Sequence, residues 1–176
     1  YRIMPQNLGR AKIRNHLADC AKGEILLFLD GDSGIVRKDF LKRYLDAIKS
    51  TDVVRGGTVY CSKDKITQPY MLHWKYGTKV ESNRVKQGEN MFTTNNFCLK
   101  KDVFRTIRFE ERIKGYGHED TMFKFAIDKS DFSFKNIDNP VEHLERFLSK
   151  SVTNTPSTMI LSNTAGFWFE TIGVMV

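Results

Sequence analysis

The sequence predicts an α/β sandwich, in which helices pack against a central β-sheet. Ile25 to Leu29 is a continuous apolar run of strand length, typical of a strand that is buried on both faces. Apolar residues at helical spacing precede this run in residues 8–23 and follow it in residues 38–49. Helices and strands therefore alternate along the first part of the chain, which is the pattern of α/β domains.

The remaining elements follow from the same patterns and from glycine and proline positions. In chain order we expect a strand over 53–60 with a bulge at Gly56-Gly57, a helical piece around 71–76, a strand over 92–99, a helix over 102–107, a helix over 118–128 and a strand over 132–137. Residues 151–176 differ in composition, because they contain one charged residue, Glu170, and many Ser, Thr and Asn. We expect them to form a C-terminal tail and assign it no structure.

Composition limits the possible classes of protein. The chain has 176 residues, 40% hydrophobic and 28% charged, which is typical of a globular domain. Its net charge of +7 comes from scattered Lys and Arg, and no nucleic-acid motif accompanies them, so we expect no nucleic-acid partner. Three widely spaced cysteines form neither a disulfide framework nor a zinc pattern and favour a reducing compartment. No apolar run reaches the roughly 18 residues expected of a membrane span, and we expect a cytoplasmic protein.

Asp30, Gly31 and Asp32 directly follow the buried apolar run. In open α/β sheets, ligands bind beyond the carboxyl ends of the strands. Two carboxylates so close together repel each other unless a cation or hydrogen-bond donors lie between them. Their hard oxygen atoms suit magnesium or manganese, which commonly bridge to phosphate. The segment predicts a metal and phosphate site, and the alternative is a plain turn, because Asp and Gly are turn formers.

A second pair of acids, Glu119 and Asp120, begins a predicted helix after a loop with two glycines. A carboxylate at this place can serve as a general base that takes a proton from an attacking hydroxyl. Adjacent helical residues point about 100° apart, so only one of the two acids is expected to face a substrate. The structural alternative is equally simple, since carboxylates at helix N-termini are stabilised by the helix dipole.

Three further polar residues are candidates. His143 can bind a manganese-like ion as a neutral imidazole, although a lone His is more often structural. Asn95 and Asn96 belong to a polar run inside an apparent strand. Their amides can hydrogen-bond sugar hydroxyls, or they can merely mark an edge or a bend of the sheet.

Three motifs in order along the chain resemble the inverting glycosyltransferases of family 2. They are Asn7-x-Gly9-x-Ala11-x-x-Arg14-Asn15, Gly23-Glu24-x5-Asp30-Gly31-Asp32, and Gly115-Tyr116-Gly117-His118-Glu119-Asp120. The resemblance covers about residues 3–150. It implies the GT-A fold, a nucleotide-diphospho-sugar transferase sandwich whose mixed, mostly parallel sheet is flanked by helices. On this resemblance, residues 1–150 are a partial catalytic domain without the family's N-terminal strand, and residues 151–176 match nothing expected of the family.

The resemblance implies a donor side of the site. Asp30 and Asp32 match the acidic motif that holds the metal and the donor diphosphate, with Asp32 as the more direct ligand. His143 matches a late His that completes the metal or diphosphate site. Arg14 matches an Arg that in some relatives reaches the nucleotide.

The resemblance also implies an acceptor side. Asp120 matches the general base and Glu119 the neighbouring acid that helps to bind the acceptor. Asn95 and Asn96 lie where relatives line the sugar cleft and bind the donor. In the implied reaction, the acceptor hydroxyl attacks the anomeric carbon opposite the leaving nucleoside diphosphate, and the configuration is inverted.

The implied partners are a nucleotide-sugar donor, with a UDP-sugar favoured, and a saccharide or lipid-linked acceptor. The implied cofactor is manganese or magnesium, and the implied process is bacterial cell-surface polysaccharide or glycan synthesis. Such a role also allows peripheral association with the inner face of the membrane.

Two other functions fit parts of the sequence. An apolar strand that ends in Asp30-x-Asp32-Ser33 also resembles the nucleophile motif of haloacid-dehalogenase-like phosphatases, in which Asp30 would be phosphorylated. That class needs a later Gly-Asp-x-x-x-Asp motif, which is absent from the sequence. A non-catalytic saccharide-binding relative is the other alternative, and the intact Asp32 and Asp120 argue against it.

Overall fold

A computed structural model describes residues 4–63, 71–81, 92–113, 117–144, 160–161 and 172–175. The helices in these ranges are α1 (Arg10–Cys20), α2 (Phe40–Ile48), α3 (Met71–Tyr76), α4 (Lys101–Thr106) and α5 (Glu119–Asp128), and a π-helical turn (Gly77–Glu81) continues α3. The strands are β1 (Ile25–Leu29), β2 (Ser33–Ile35), β3 (Val53–Arg55), β4 (Thr58–Val59), β5 (Asn96–Lys100), β6 (Phe134–Asn136), β7 (Val141–His143), β8 (Ile160–Leu161) and β9 (Ile172–Met175). The predicted mixture of helices and strands is confirmed.

The larger sheet has six strands in the order β6-β3-β5-β1-β9-β8. β5 runs antiparallel to both of its neighbours, β1 and β3, and β8 is antiparallel to β9. Among the described strands of this larger sheet, only the β1–β9 and β3–β6 pairs are parallel. The sheet is therefore mixed, as predicted, but the expectation that it is mostly parallel is wrong.

A smaller sheet of three strands, β2-β7-β4, lies beside the larger one. After β2, the chain returns to this sheet through Gly56 and Gly57, which separate β3 in the large sheet from β4 in the small sheet. Gly57 has a φ of 89°, and a Cβ at Gly56 would lie 2.3 Å from the Tyr44 hydroxyl. The predicted single strand over residues 53–60 is thus two strands, because the glycines change the direction of the chain rather than forming a bulge within it.

The core lies on both faces of the large sheet. Successive residues of β1 point to opposite faces, so Leu26 and Phe28 join one apolar cluster while Leu27 and Leu29 join another. The first cluster lies under α1 and α5 and is rich in phenylalanine: Phe28 stacks on Phe97 with ring centroids 4.5 Å apart. The second lies under α2. The double burial of β1 explains its uninterrupted apolar sequence.

Two short pieces of the predicted C-terminal tail are strands of the large sheet. β9 pairs in parallel with β1, with Ile25 opposite Ile172, and β8 pairs with β9. The segment between Leu161 and Ile172 and residues 145–159 lie outside the described residues. Within the described part of the chain, no helix is long and apolar enough to cross a membrane.

Candidate functional site

The first acidic motif turns the chain at the end of β1. The Asp30 N–H donates to the Asn95 carbonyl over 3.0 Å, because β5 is antiparallel to β1 and its first residues lie beside the end of β1. The Ser33 N–H donates back to the Asp30 carbonyl over 3.0 Å, which closes the turn. The turn leads directly into β2, so Asp30 and Asp32 lie where the two sheets meet.

Arg14 reaches this turn from the middle of α1. Its Nη2 donates to Oδ1 of Asp30 over 2.9 Å, and its guanidinium lies 5.3 Å from the ring centroid of Phe109. Arg14 is only 8% exposed, and its Nη1 is buried without a hydrogen-bond partner among the described residues. A buried, unpaired N–H group costs free energy unless a ligand satisfies it, so this atom indicates an anion site beside Asp30.

His143 is brought to Asp32 by the small sheet. β2 pairs with β7 so that Ser33 lies opposite His143, and the Leu144 N–H donates to the Asp32 carbonyl over 2.8 Å. Nδ1 of His143 lies 3.6 Å from Oδ2 of Asp32. This contact is the main cause that lowers the pKa of Asp32; partial burial opposes it, and the charge of Arg10 reinforces it. The register between β2 and β7 therefore places His143 beside Asp32.

The predicted metal set is only partly assembled. Among the described residues, no three His, Cys, Asp or Glu side chains form a cluster that could hold a metal ion. The prediction that Asp30 joins Asp32 and His143 in one ligand set is not supported by this geometry, because Asp30 is paired with Arg14. Asp32 and His143 alone still fit a magnesium or manganese ion, since such ions take several ligands from phosphate and water.

The second acidic motif begins α5 at a sharply turned backbone. Gly117 has a φ of 103° and His118 a φ of 68°, so two successive residues occupy the left-handed region before the helix starts at Glu119. The Glu119 carboxylate accepts a hydrogen bond from Nη1 of Arg10 over 3.2 Å. Asp120 instead accepts a hydrogen bond from the Thr94 hydroxyl, just before β5. The two adjacent acids point to different partners, as their helical spacing predicts.

The pKa values of the two acids shift in opposite directions. Burial is the largest influence on the pKa of Asp120 and raises it above the usual value, although Thr94 and the charge of Arg14 oppose this shift. Burial also acts to raise the pKa of Glu119, but a backbone hydrogen bond at the helix start and the charge of Arg10 outweigh it, and the net pKa is lowered. Asp120 is thus the better proton acceptor of the two.

Asn95 and Asn96 have different roles. Nδ2 of Asn95 donates to the Thr58 hydroxyl over 2.6 Å, and its Oδ1 is buried with no partner among the described residues. Asn96 is 0% exposed; its Nδ2 donates to the carbonyls of Gly57 and Asn139, and its Oδ1 accepts from the Tyr44 hydroxyl over 2.6 Å. The assignment of Asn96 to donor binding is therefore corrected, because its amide joins the two sheets and is closed to a ligand.

Three residues that contribute to the site had no assigned role in the sequence. Arg10 lies one helical turn before Arg14, and this i, i+4 spacing was a signal that both face the same side of α1. Thr94 holds Asp120, and Asn15 bonds both the backbone of Phe109 and the Glu111 carboxylate. These contacts join residues more than 25 positions apart, so local patterns do not reveal them.

The family model described as glycosyl transferase family 2 matches residues 1–108. The matched residues make up more than half of the chain, which belongs to glycosyl transferase family 2. Membership implies glycosyl transfer from a nucleotide sugar and argues against the phosphatase alternative. The match includes Arg14, Asp30 and Asp32 and ends before Asp120 and His143. No curated protein matches the chain significantly.

Proposed function

We propose that this chain catalyses the transfer of a sugar from a nucleoside-diphosphate donor to a hydroxyl acceptor, with inversion of configuration. One observation carries the proposal: a single guanidinium, that of Arg14, serves both acidic motifs. It bonds Asp30 directly over 2.9 Å, and its charge also acts on the pKa of Asp120. A donor-side and an acceptor-side carboxylate thus lie close to one buried cation, which supports a site where donor and acceptor meet.

The donor side would bind the diphosphate. Nη1 of Arg14, which has no hydrogen-bond partner among the described residues, can donate to a phosphate oxygen. A guanidinium stabilises the negative charge that develops on a departing diphosphate. Asp32 and His143 would hold a magnesium or manganese ion, which supplies Lewis-acid stabilisation of the same charge when bound. The Oδ1 atom of Asn95, which also lacks a partner in the described part of the chain, would accept a hydrogen bond from a hydroxyl of the donor sugar.

The acceptor side would carry the proton transfer. As the acceptor oxygen forms its bond to the anomeric carbon, the bond from that carbon to the diphosphate oxygen breaks, and the hydroxyl proton passes to the Asp120 carboxylate. The Thr94 hydroxyl holds Oδ1 of Asp120, so the proton would go to Oδ2. Burial raises the pKa of Asp120, which makes its carboxylate a stronger base once ionised.

The wider assignments rest on the resemblance. We propose a UDP-sugar donor, a saccharide or lipid-linked acceptor and a role in bacterial cell-surface polysaccharide synthesis. The three cysteines are free, in accord with a cytoplasmic location, and the acceptor class allows peripheral association with the inner face of the membrane.

Donor hydrolysis tests the proposed activity without a known acceptor. The protein would be incubated with manganese and each of UDP-glucose, UDP-galactose and UDP-N-acetylglucosamine, and release of UDP would be measured. We expect turnover of at least one donor, and Asp32→Asn should lower it by at least about tenfold, the scale of losing one charge-stabilising contact. Asp46→Asn is the matched control, because Asp46 lies on the exposed face of α2 and pairs only with Lys42 and Lys49 among the described residues. Absence of UDP release from all three donors would contradict the proposed donor class.

A further inference from the structure

Arg55 is a buried cation to which the proposed reaction gives no part. It is the last residue of β3 and is only 4% exposed. Its backbone is held on both sides, because it pairs with Phe97 of β5 and with Asn136 of β6. A guanidinium loses hydration energy when it is buried, so the polar contacts of this side chain must offset that loss.

The Arg55 side chain reaches the segment that precedes β5. Its Nε donates to the Thr93 hydroxyl oxygen over 3.0 Å. Because β5 is antiparallel to β3, Thr93 lies past the carboxyl end of β3, and the side chain extends forward to it. Thr93 also precedes the first residue of β5, Asn96, so a side-chain contact holds it where strand pairing does not.

The neighbours of Thr93 both contact α5. Thr94 is 2% exposed, and its hydroxyl donates to the Asp120 carboxylate. On the other side, the ring of Phe92 stacks on Phe123 of the same helix, with ring centroids 5.8 Å apart. The bond from Arg55 therefore ties to β3 a segment that lies against the helix of the proposed base.

We propose that Arg55 is a positioning residue for the reaction, which sets the orientation of the Asp120 carboxylate through Thr93 and Thr94. A ring contact such as that of Phe92 fixes distance more than direction, whereas a hydrogen bond favours a near-linear geometry. The bond from Arg55 thus limits rotation of the segment, and with it the direction from which the Thr94 hydroxyl meets Asp120. This inference rests on the proposed function, because it concerns the base of that reaction.

Other groups act on the same carboxylate and stay in place in the test. Burial has the largest influence on the pKa of Asp120 and raises it. The charge of Arg14, on α1, lowers this pKa, and the charge of Glu119, on α5, raises it. A substitution at Thr93 changes neither of these charges. A change in the titration of Asp120 would therefore report the bond from Thr94.

A pair of substitutions at Thr93 tests the link by NMR. Thr93→Val keeps the shape of threonine without its hydroxyl, and Thr93→Ser keeps the hydroxyl. The ¹³C carboxyl signal of Asp120 would be followed through a pH titration in both variants and in the wild type. Thr93→Val should raise the pKa of Asp120, because it loosens the Thr94 bond that lowers this pKa, and Thr93→Ser should stay close to wild type. Equal titration curves for Thr93→Val and wild type would overturn the inference.

Kinetics separate positioning from a general loss of structure. In donor hydrolysis with manganese, where water replaces the acceptor, Thr93→Val should lower kcat about tenfold and leave the donor KM unchanged, since a misplacement of about 1 Å can cost roughly 100-fold. Thr106→Val is the matched control, because Thr106 is exposed and its hydroxyl bonds a backbone carbonyl of α4. An equal fall in the control, or a raised KM with kcat kept, would contradict a positioning role.

Arg55→Lys connects the effect to the arginine. In lysine a methylene group stands where Nε of arginine is, so the charge remains while this donor is lost. The variant should match Thr93→Val in kcat and in the titration of Asp120, and the double variant should lose no more than either single variant. Additive losses would mean that Arg55 does not act through Thr93.

The two measurements also separate this inference from the proposed function. If the wild type hydrolyses no donor while Thr93→Val still shifts the titration of Asp120, the proposed function fails and the link from Arg55 to the carboxylate stands. If the wild type hydrolyses a donor and the titration of Asp120 does not move, the positioning role alone fails.

Discussion

Arg14 donates a hydrogen bond to Asp30 from one guanidinium nitrogen, Nη2, while the second nitrogen, Nη1, lies buried beside it. Nη2 is 2.9 Å from Oδ1 of Asp30, while Nη1 has no partner among the described residues. The ring of Phe109 lies against the same group and helps to hold its plane. An arginine fixed in this way can keep its bond to Asp30 while Nη1 donates to a phosphate oxygen, and a lysine could not present both contacts.

Arg14→Lys should therefore weaken nucleotide binding although the charge is kept. We expect UDP affinity in the presence of manganese to fall about tenfold, as for loss of one charge-assisted hydrogen bond worth about 1.4 kcal/mol. Isothermal titration calorimetry measures it. Arg37→Lys is the control, since Arg37 pairs with Asp39 on the surface, and an equal loss in both variants would refute a specific role for Arg14.

The pH dependence of transfer should follow Asp120. A general base acts only when ionised, and the raised pKa of Asp120 shifts the acid limb of the rate profile to higher pH than an unshifted aspartate would give. Thr94→Val removes a hydrogen bond that lowers this pKa, so its acid limb should move to higher pH. Donor hydrolysis or transfer, measured between pH 4 and 8, tests the direction. An acid limb that moves to lower pH would contradict the assignment.

Asp120→Asn should lose transfer and gain stability. A carboxyl group whose pKa is higher in the folded state stabilises the fold while it is protonated, and this contribution is lost as pH rises through the folded pKa. At pH 7 the ionised Asp120 carboxylate therefore destabilises the fold, and the neutral amide of the variant does not. The amide oxygen can still accept the hydrogen bond from the Thr94 hydroxyl. Thermal unfolding should show a higher Tm for the variant at pH 7, and the difference should shrink toward pH 4. A lower Tm at pH 7 would mean that Asp120 contributes to the fold as an ion.

Substitutions of the two neighbouring asparagines should affect different properties, folding stability for Asn96 and donor binding for Asn95. Asn96→Ala leaves the Tyr44 hydroxyl and the Gly57 and Asn139 carbonyls without their partner, and we expect a loss of about 3 kcal/mol in the free energy of unfolding. Asn95→Ala removes one bond to Thr58 and should cost about 1 kcal/mol while weakening donor binding. Urea unfolding and UDP-sugar titration measure the two effects. If Asn95→Ala lost more stability and Asn96→Ala lost donor binding, Asn96 would be the donor ligand after all.

The sequence predicted those parts of the site that depend on one strand or one helix turn. The apolar run of β1 and its acidic end could be recognised because burial on both faces leaves an uninterrupted pattern. β2 and β7 have only three residues each, and their sequences, Ser-Gly-Ile and Val-Glu-His, show no strand periodicity. Their pairing, and hence the approach of His143 to Asp32, is a tertiary contact that no local pattern encodes.

The misassignment of Asn96 has a similar cause. Consecutive residues near a strand point to opposite sides, so at most one of Asn95 and Asn96 could face the cleft. Which one does so depends on the register of β5 with β1, where Asn96 lies opposite Leu29. The contact between Arg10 and Glu119 spans 109 positions of sequence and was equally out of reach.

Gly56 affects how the results of mutagenesis on this protein would be interpreted. A Cβ there would lie 2.3 Å from the Tyr44 hydroxyl, 2.4 Å from the Asn139 carbonyl and 2.6 Å from the Asn96 amide, so any side chain would push apart the polar junction of the two sheets. The small sheet carries His143, and the large sheet leads to Asp32. A mutational scan scored by activity alone would therefore rank Gly56 with the proposed substrate-binding residues. Only a parallel measurement of the amount of folded protein would show that Gly56 instead keeps the two sheets, and so His143 and Asp32, in position.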